Sequence, residues 1–136
     1  MKRSIKLFEE WEYEASDKLL GPISKWEDEN YEFNNFVVDK SYKTNAFTAH
    51  VYTINYAPEQ NALHIELDIK FSHVTYRAIM GYFADESVHW YAKDRSVADS
   101  FFTDIEVYQT ELYEMVEDIL NDWVPLNYWS YKKSLN

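Results

Sequence analysis

A chain of 136 residues, 46% hydrophobic and 18% aromatic, is sized for one domain with a substantial core. It has no cysteine and only two glycines, which removes disulfides, thiolate metal sites, cysteine nucleophiles and glycine-rich phosphate loops. With 24 acids against 13 bases it carries −11, a balance that disfavours nucleic acid and anionic membranes as partners, since both call for cationic surface.

The basic start, Lys2 and Arg3, is followed after Phe8 by Glu9, Glu10, Glu12 and Glu14, so no apolar signal-peptide core exists there. No run approaches the ~20 apolar residues that span a bilayer, and a soluble cytoplasmic protein is expected. Residues 4–20 read as a helix, with Ile5, Phe8, Trp11 or Glu12, Ala15 and Leu19 at three- and four-residue spacings, Ser4 as cap and Gly21-Pro22 as stop. The alternation of Ile5, Leu7, Trp11 and Tyr13 is the competing strand reading. Residues 23–35 are polar and aperiodic, and Phe36-Val37-Val38 suggests a short strand or a core plug.

Residues 46–56 and 62–71 form the clearest element, a β-hairpin closed by Ala57-Pro58-Glu59-Gln60-Asn61. Pairing Phe47 with Phe71, Ala49 with Ile69, Val51 with Leu67 and Thr53 with Ile65 puts only apolar residues and Thr on one face. A slip by one residue would bring Tyr, His, Asp and Lys into the core, so the pattern selects this register. His50, Tyr52, Ile54 and Tyr56 then lie on the other face with Asp68, Glu66, His64 and Ala62. Residues 73–83 alternate as a third strand with Val74, Tyr76, Ala78, Met80 and Tyr82 on one face. Asp85-Glu86-Ser87 is a turn, and Val88 to Ala92 a short fourth strand. From Ser96 the period becomes helical: Phe101, Ile105, Tyr108, Leu112, Met115, Val116, Ile119 and Trp123 form one stripe over about 25 residues. Ser96 or Asp99 caps its start and Pro125 ends it. The predicted fold is a single α+β domain: an antiparallel β-meander of three to four strands packed against an N-terminal and a long C-terminal helix, α-β-β-β(-β)-α.

The charge is unevenly spread. Residues 7–32 hold nine acids and two bases, residues 33–95 seven acids and six bases, and residues 96–131 eight acids and no base. On the long helix, Asp104, Glu111, Glu114, Asp118 and Asp122 run along a stripe away from the apolar one. Like charges three or four residues apart destabilise a helix by about 0.2–0.5 kcal/mol per pair, so the absence of interleaved lysine points to selection for a negative surface. Simple solubility explains the same acidity. The candidate partner-binding set is Asp104, Glu111, Glu114, Asp118, Asp122, Glu10, Glu14 and Tyr113, and it calls for a basic protein, a nucleic-acid-binding protein or a nuclease.

The expected function is therefore a non-enzymatic acidic inhibitor of the DNA-mimic type seen among phage counter-defence proteins such as anti-CRISPR and anti-restriction inhibitors. An immunity protein that neutralises a nuclease toxin is the alternative. No cofactor, metal or direct nucleic-acid contact is expected, and a homodimer through the free sheet face remains open. The rival of another class is a metal-dependent enzyme or a ligand carrier built on the outer sheet face, where His50, His64, Glu66 and Asp68 converge. His64-Ile65-Glu66 imitates the His-x-Glu of zinc deaminases, but the cysteines that chemistry requires are missing.

Overall fold

A computed structural model of the chain describes residues 6–7, 36–124, 126 and 128–134. Six strands, β1 (Lys6–Leu7), β2 (Phe36–Lys43), β3 (Thr48–Ala57), β4 (Ala62–Lys70), β5 (Thr75–Phe83) and β6 (Ser87–Ala92), form one sheet in the order β1-β6-β5-β4-β3-β2. Strands β2 to β6 are an antiparallel meander, each paired with its neighbour in sequence. The short β1 adds to the far edge in parallel, Lys6 opposite Ser87 and Leu7 opposite Val88. Three helices follow: α1 (Ala98–Val107), α2 (Gln109–Trp123) and α3 (Tyr128–Ser134). The class is α+β, with a long C-terminal helical segment.

Period-two alternation puts Ala49, Val51, Leu63, Ile65, Leu67, Ile69, Tyr76, Ala78, Met80, Tyr82, Val88 and Trp90 on one sheet face. That face meets the helical stripe of Phe101, Ile105, Leu112, Met115, Val116 and Ile119 in a single core. Aromatic edges lock the layers: Tyr76 meets Phe101 at 5.2 Å, Phe71 meets Tyr108 at 5.1 Å, and Tyr82 meets Trp129 of α3 at 5.7 Å between ring centroids. Each fully buried Leu, Ile or Phe contributes about 1.5–3 kcal/mol relative to exposure, so this interface is the main source of stability.

The hairpin keeps its expected register from Ala49↔Ile69 to Val51↔Leu67, and then departs from it. Tyr52 is an extra residue in β3, so Thr53 pairs with Glu66 and Ile54, not Thr53, sits opposite Ile65. The bulge hands the core position to the more apolar side chain: Ile54 is buried in the core cluster. A second bulge, in β2, lies against the same place, between the pairs Val37↔Thr53 and Lys40↔Val51. Asp39 occupies it in the left-handed region, φ 48°, which Asp tolerates better than most residues. The stretch expected as a three-residue strand or core plug is thus an eight-residue strand, and the meander has five strands rather than three or four.

The helical segment also differs in detail. Its entry is capped by Asp94, whose carboxylate accepts from the backbone N–H of Ser96 over a 3-10 turn, Arg95–Val97, and neither Ser96 nor Asp99 caps α1. Tyr108 breaks the rod between α1 and α2, with φ −107° and ψ 32°. A straight helix of 26 residues, about 39 Å long, cannot follow a twisted sheet over its whole length, and the bend keeps both halves on it. Val124 is extended, as expected of a residue that precedes proline. The helix expected over residues 4–20 lies outside the described residues, except that Lys6–Leu7 are strand.

Candidate functional site

The carboxylates of α1 and α2 divide into two kinds. Asp104 and Asp122, at the two ends of the expected stripe, are turned into the sheet. Tyr76 of β5 donates to Asp104 Oδ2 at 2.5 Å, and His73 Nε2 reaches the same oxygen at 3.2 Å. Tyr42 of β2 donates to Asp122 Oδ2 at 2.8 Å, and Lys40 Nζ lies 2.7 Å from it. Trp123 Nε1 in turn donates to the Tyr42 hydroxyl at 2.7 Å. The two clamps have the same design, a tyrosine and a nitrogen side chain (His73 or Lys40) on one carboxylate, and they fix opposite ends of the helical segment over β5 and β2. The bonds from Lys40 and Tyr42 hold the Asp122 carboxyl below its ordinary range. Burial, reinforced by Asp104, pushes the Tyr76 phenol up, so it remains a donor.

Asp99, Glu106, Glu111, Glu114, Glu117 and Asp118 behave differently. Among the described residues none of them has an ion-pair partner. Glu111, Glu114 and Asp118 stand within about 60° of one another on an ideal helix, opposite the buried stripe. Glu114 and Asp118 are exposed, Glu111 is half-buried, and Tyr113 flanks them with its ring packed on the core. Val107, next to the bend, is an exposed apolar side chain, 66% accessible. Glu10 and Glu14 lie outside the described residues.

The acids of the outer sheet face, among the described residues, are paired. Asp68 of β4 accepts from Arg77 Nε of β5 and, at 2.5 Å, from the Tyr52 hydroxyl of β3. Burial works against its ionisation, but the Arg77 and Tyr52 bonds prevail and hold the Asp68 carboxyl low. The Arg77 guanidinium also covers the Tyr52 ring at 4.6 Å, while Glu66 takes Lys93 Nζ at 2.6 Å. This network occupies the β3 bulge: the extra residue is the one whose phenol reaches Asp68. His50 lies opposite Asp68 in register, yet its ring turns to β2, with Nε2 2.8 Å from Asp39 Oδ1 and Nδ1 2.9 Å from Ser41 Oγ. The Ser41–His50–Asp39 series resembles a nucleophile chain in connectivity only, because Asp39 is 74% exposed and solvated rather than buried as an orienting acid.

His64 is separated from that network. It is 2% exposed, and its Nε2 meets Gln60 Oε1 at 2.5 Å. The four residues His50, His64, Glu66 and Asp68 therefore share a face without converging, and among the described residues no group of three or more His, Asp or Glu is placed to hold a metal ion. Opposite His64 lies Asn55, 1% exposed, with both side-chain amide atoms unpartnered. A buried polar atom left without a partner costs about 1–3 kcal/mol, so this pair is the least expected feature of the sheet. Sequence reasoning missed Asn55, and it missed Lys40, Tyr42, His73 and Tyr76 as partners of the helix acids. The available signal was a polar Asn inside an otherwise β-favouring run; the tyrosines lie 28 and 80 residues from the acids they meet, and no local pattern marks them. Among the described residues no helix is long and apolar enough to cross a membrane. No family model matches the chain, and no curated protein or solved structure does so either.

Proposed function

We propose that this chain is a non-enzymatic, acidic protein-binding inhibitor that offers the outward carboxylates of α1 and α2 to a basic, nucleic-acid-handling partner. One contrast supports the reading. All three acids of the described strands, Asp39, Glu66 and Asp68, have a cationic or imidazole partner, whereas six of the eight acids on the two helices have none among the described residues. The sheet pairs its acids consistently, and the helices, among the described residues, leave most of theirs outward without a cation. Glu111, Glu114 and Asp118 form the centre of the proposed surface, with Glu106 and Glu117 beside them and Tyr113 as an uncharged anchor. Asp104 and Asp122 serve it indirectly, by holding the helices at the angle that presents the other acids.

The field of unrelieved carboxylates steers a cationic partner and competes for the lysines and arginines that would otherwise hold a phosphate backbone. The test uses the full chain as bait in a host lysate at low and high salt. A captured nucleic-acid-binding protein or nuclease is then titrated with the wild type and with Glu111→Lys, Glu114→Lys, Asp118→Lys together. The expected result is affinity reduced at least tenfold, a flatter salt dependence and loss of competition with duplex DNA. Unchanged affinity and salt slope in the triple variant would remove the proposal.

A further inference from the structure

Part of the outer sheet face is closed over, although the described helices all pack on the other one. Ile79 is 0% and Tyr91 4% exposed, and Ala57, Ala62, Asn55 and His64 are buried with them. None of the six belongs to the helix-side core, which takes in every described buried side chain of α1, α2 and α3. The burial stops at a line. Strand register sets Asn55, His64 and Gly81 in one cross-strand row and Thr53, Glu66, Ile79 and Tyr91 in the next. One row further on, Arg77 beside Asp68 is 47% exposed. The covered area is therefore a strip running across the strands.

Topology supplies an occupant. β1 and β2 are the two edges of the sheet, so the chain between Leu7 and Phe36 passes from one edge to the other, five strand spacings or about 24 Å. Both of its ends stand level with the covered strip. Leu7 pairs with Val88, in the row of Tyr82 and Leu63, and Phe36 pairs with Ile54, in the row of Ile65 and Met80. The helices fill the opposite face, and the direct path between these ends runs over the buried rows. The 28 residues 8–35 reach roughly 90 Å when extended, several times the crossing, so they have chain to spare for covering an area. They include Trp11, Leu19, Leu20, Ile23 and Trp26, which gain by burial against an apolar surface. Their main-chain N–H and C=O groups match the unpartnered Asn55 Oδ1, Asn55 Nδ2 and His64 Nδ1 beneath.

We infer that the outer sheet face is an internal docking surface for residues 8–35 of the same chain, which cross it over Asn55, His64, Ile79 and Tyr91. The sheet is then the middle layer of three, and this face is closed to a second copy of the chain. The segment holds nine acids against two bases, and with its apolar side chains on the sheet those acids are left to solvent. Carboxylates thus flank the sheet on both broad faces. The inference does not depend on the proposed partner surface of α1 and α2.

The test is an isotope-edited NOE experiment on the full chain. The Ile79 methyl groups and the Tyr91 ring should show cross-peaks to side chains within residues 8–35. In a sample mixed from labelled and unlabelled chains these contacts should remain intramolecular. Limited trypsin digestion gives a second reading at Lys18 and Lys25, the two basic residues of the segment. Ile79→Lys sets a charge under the covering chain and should speed cleavage at both at least tenfold while the far-UV spectrum is kept. Should that variant not fold, the cross-peaks of the wild type decide alone. Intermolecular cross-peaks would give the face to a second copy and overturn the inference. So would the absence of contacts from Ile79 and Tyr91 to residues 8–35, or unchanged cleavage in a folded Ile79→Lys.

Discussion

At Tyr76 a single hydroxyl holds a helix to a sheet. Its bond to the Asp104 carboxylate is charge-assisted, and Tyr76 is itself buried, so Tyr76→Phe should cost about 1.5–3 kcal/mol in urea unfolding. The companion pair Lys40–Asp122 is 49% and 40% exposed, and solvent screening limits it to below about 1 kcal/mol, so Lys40→Met should be nearly silent in the same assay. His64 gives the pH response. Its folded pKa lies below the ordinary 6.5, so the unfolded chain binds the proton more readily, and the contribution is complete above 6.5 and is lost as pH falls through the folded value. The urea midpoint should decline on going from pH 7 to pH 5, and His64→Phe should flatten that decline. Asp68 and Asp122, both held below the ordinary 3.8, act in the same direction in a lower window.

At the scale of the element, the informative features are the two bulges and the bend. The hairpin pattern reads correctly as far as Val51 because each side chain there has one plausible face. It fails at Tyr52 because the choice between Thr53 and Ile54 for the core is made by Asp68 and Arg77 on neighbouring strands, which local alternation does not contain. The length of β2 is hidden for the same reason: Asp39 interrupts the alternation, and lysines at positions 40 and 43 look like a loop although they suit an edge strand. On α2 the acids carry a stability cost that can be recovered. Glu114→Lys places a cation three residues from Glu111 and four from Asp118 and should raise stability by about 0.2–0.5 kcal/mol per pair. The same change should weaken the captured partner's binding. Gained stability with undiminished binding would assign the acidity to solubility alone.

At the scale of the whole molecule, −11 spread over a small domain opposes compaction by self-repulsion. Added salt screens it, so the melting temperature should rise between about 0.02 and 0.5 M NaCl, and less steeply for the triple lysine variant. The amino-acid sequence by itself determined the fold class, the meander, most of the core and the unequal distribution of acids, because periodicity and charge are written residue by residue. Which helix acids find a partner among the described residues was decided only by the tertiary structure. Asp104 and Glu114 are the same kind of residue on the same helical run, and what separates them is a tyrosine 28 residues from Asp104 that only folding brings within hydrogen-bond reach. The unpartnered Asn55 has the same origin: a polar group becomes costly through burial, and burial is a property of the packed chain.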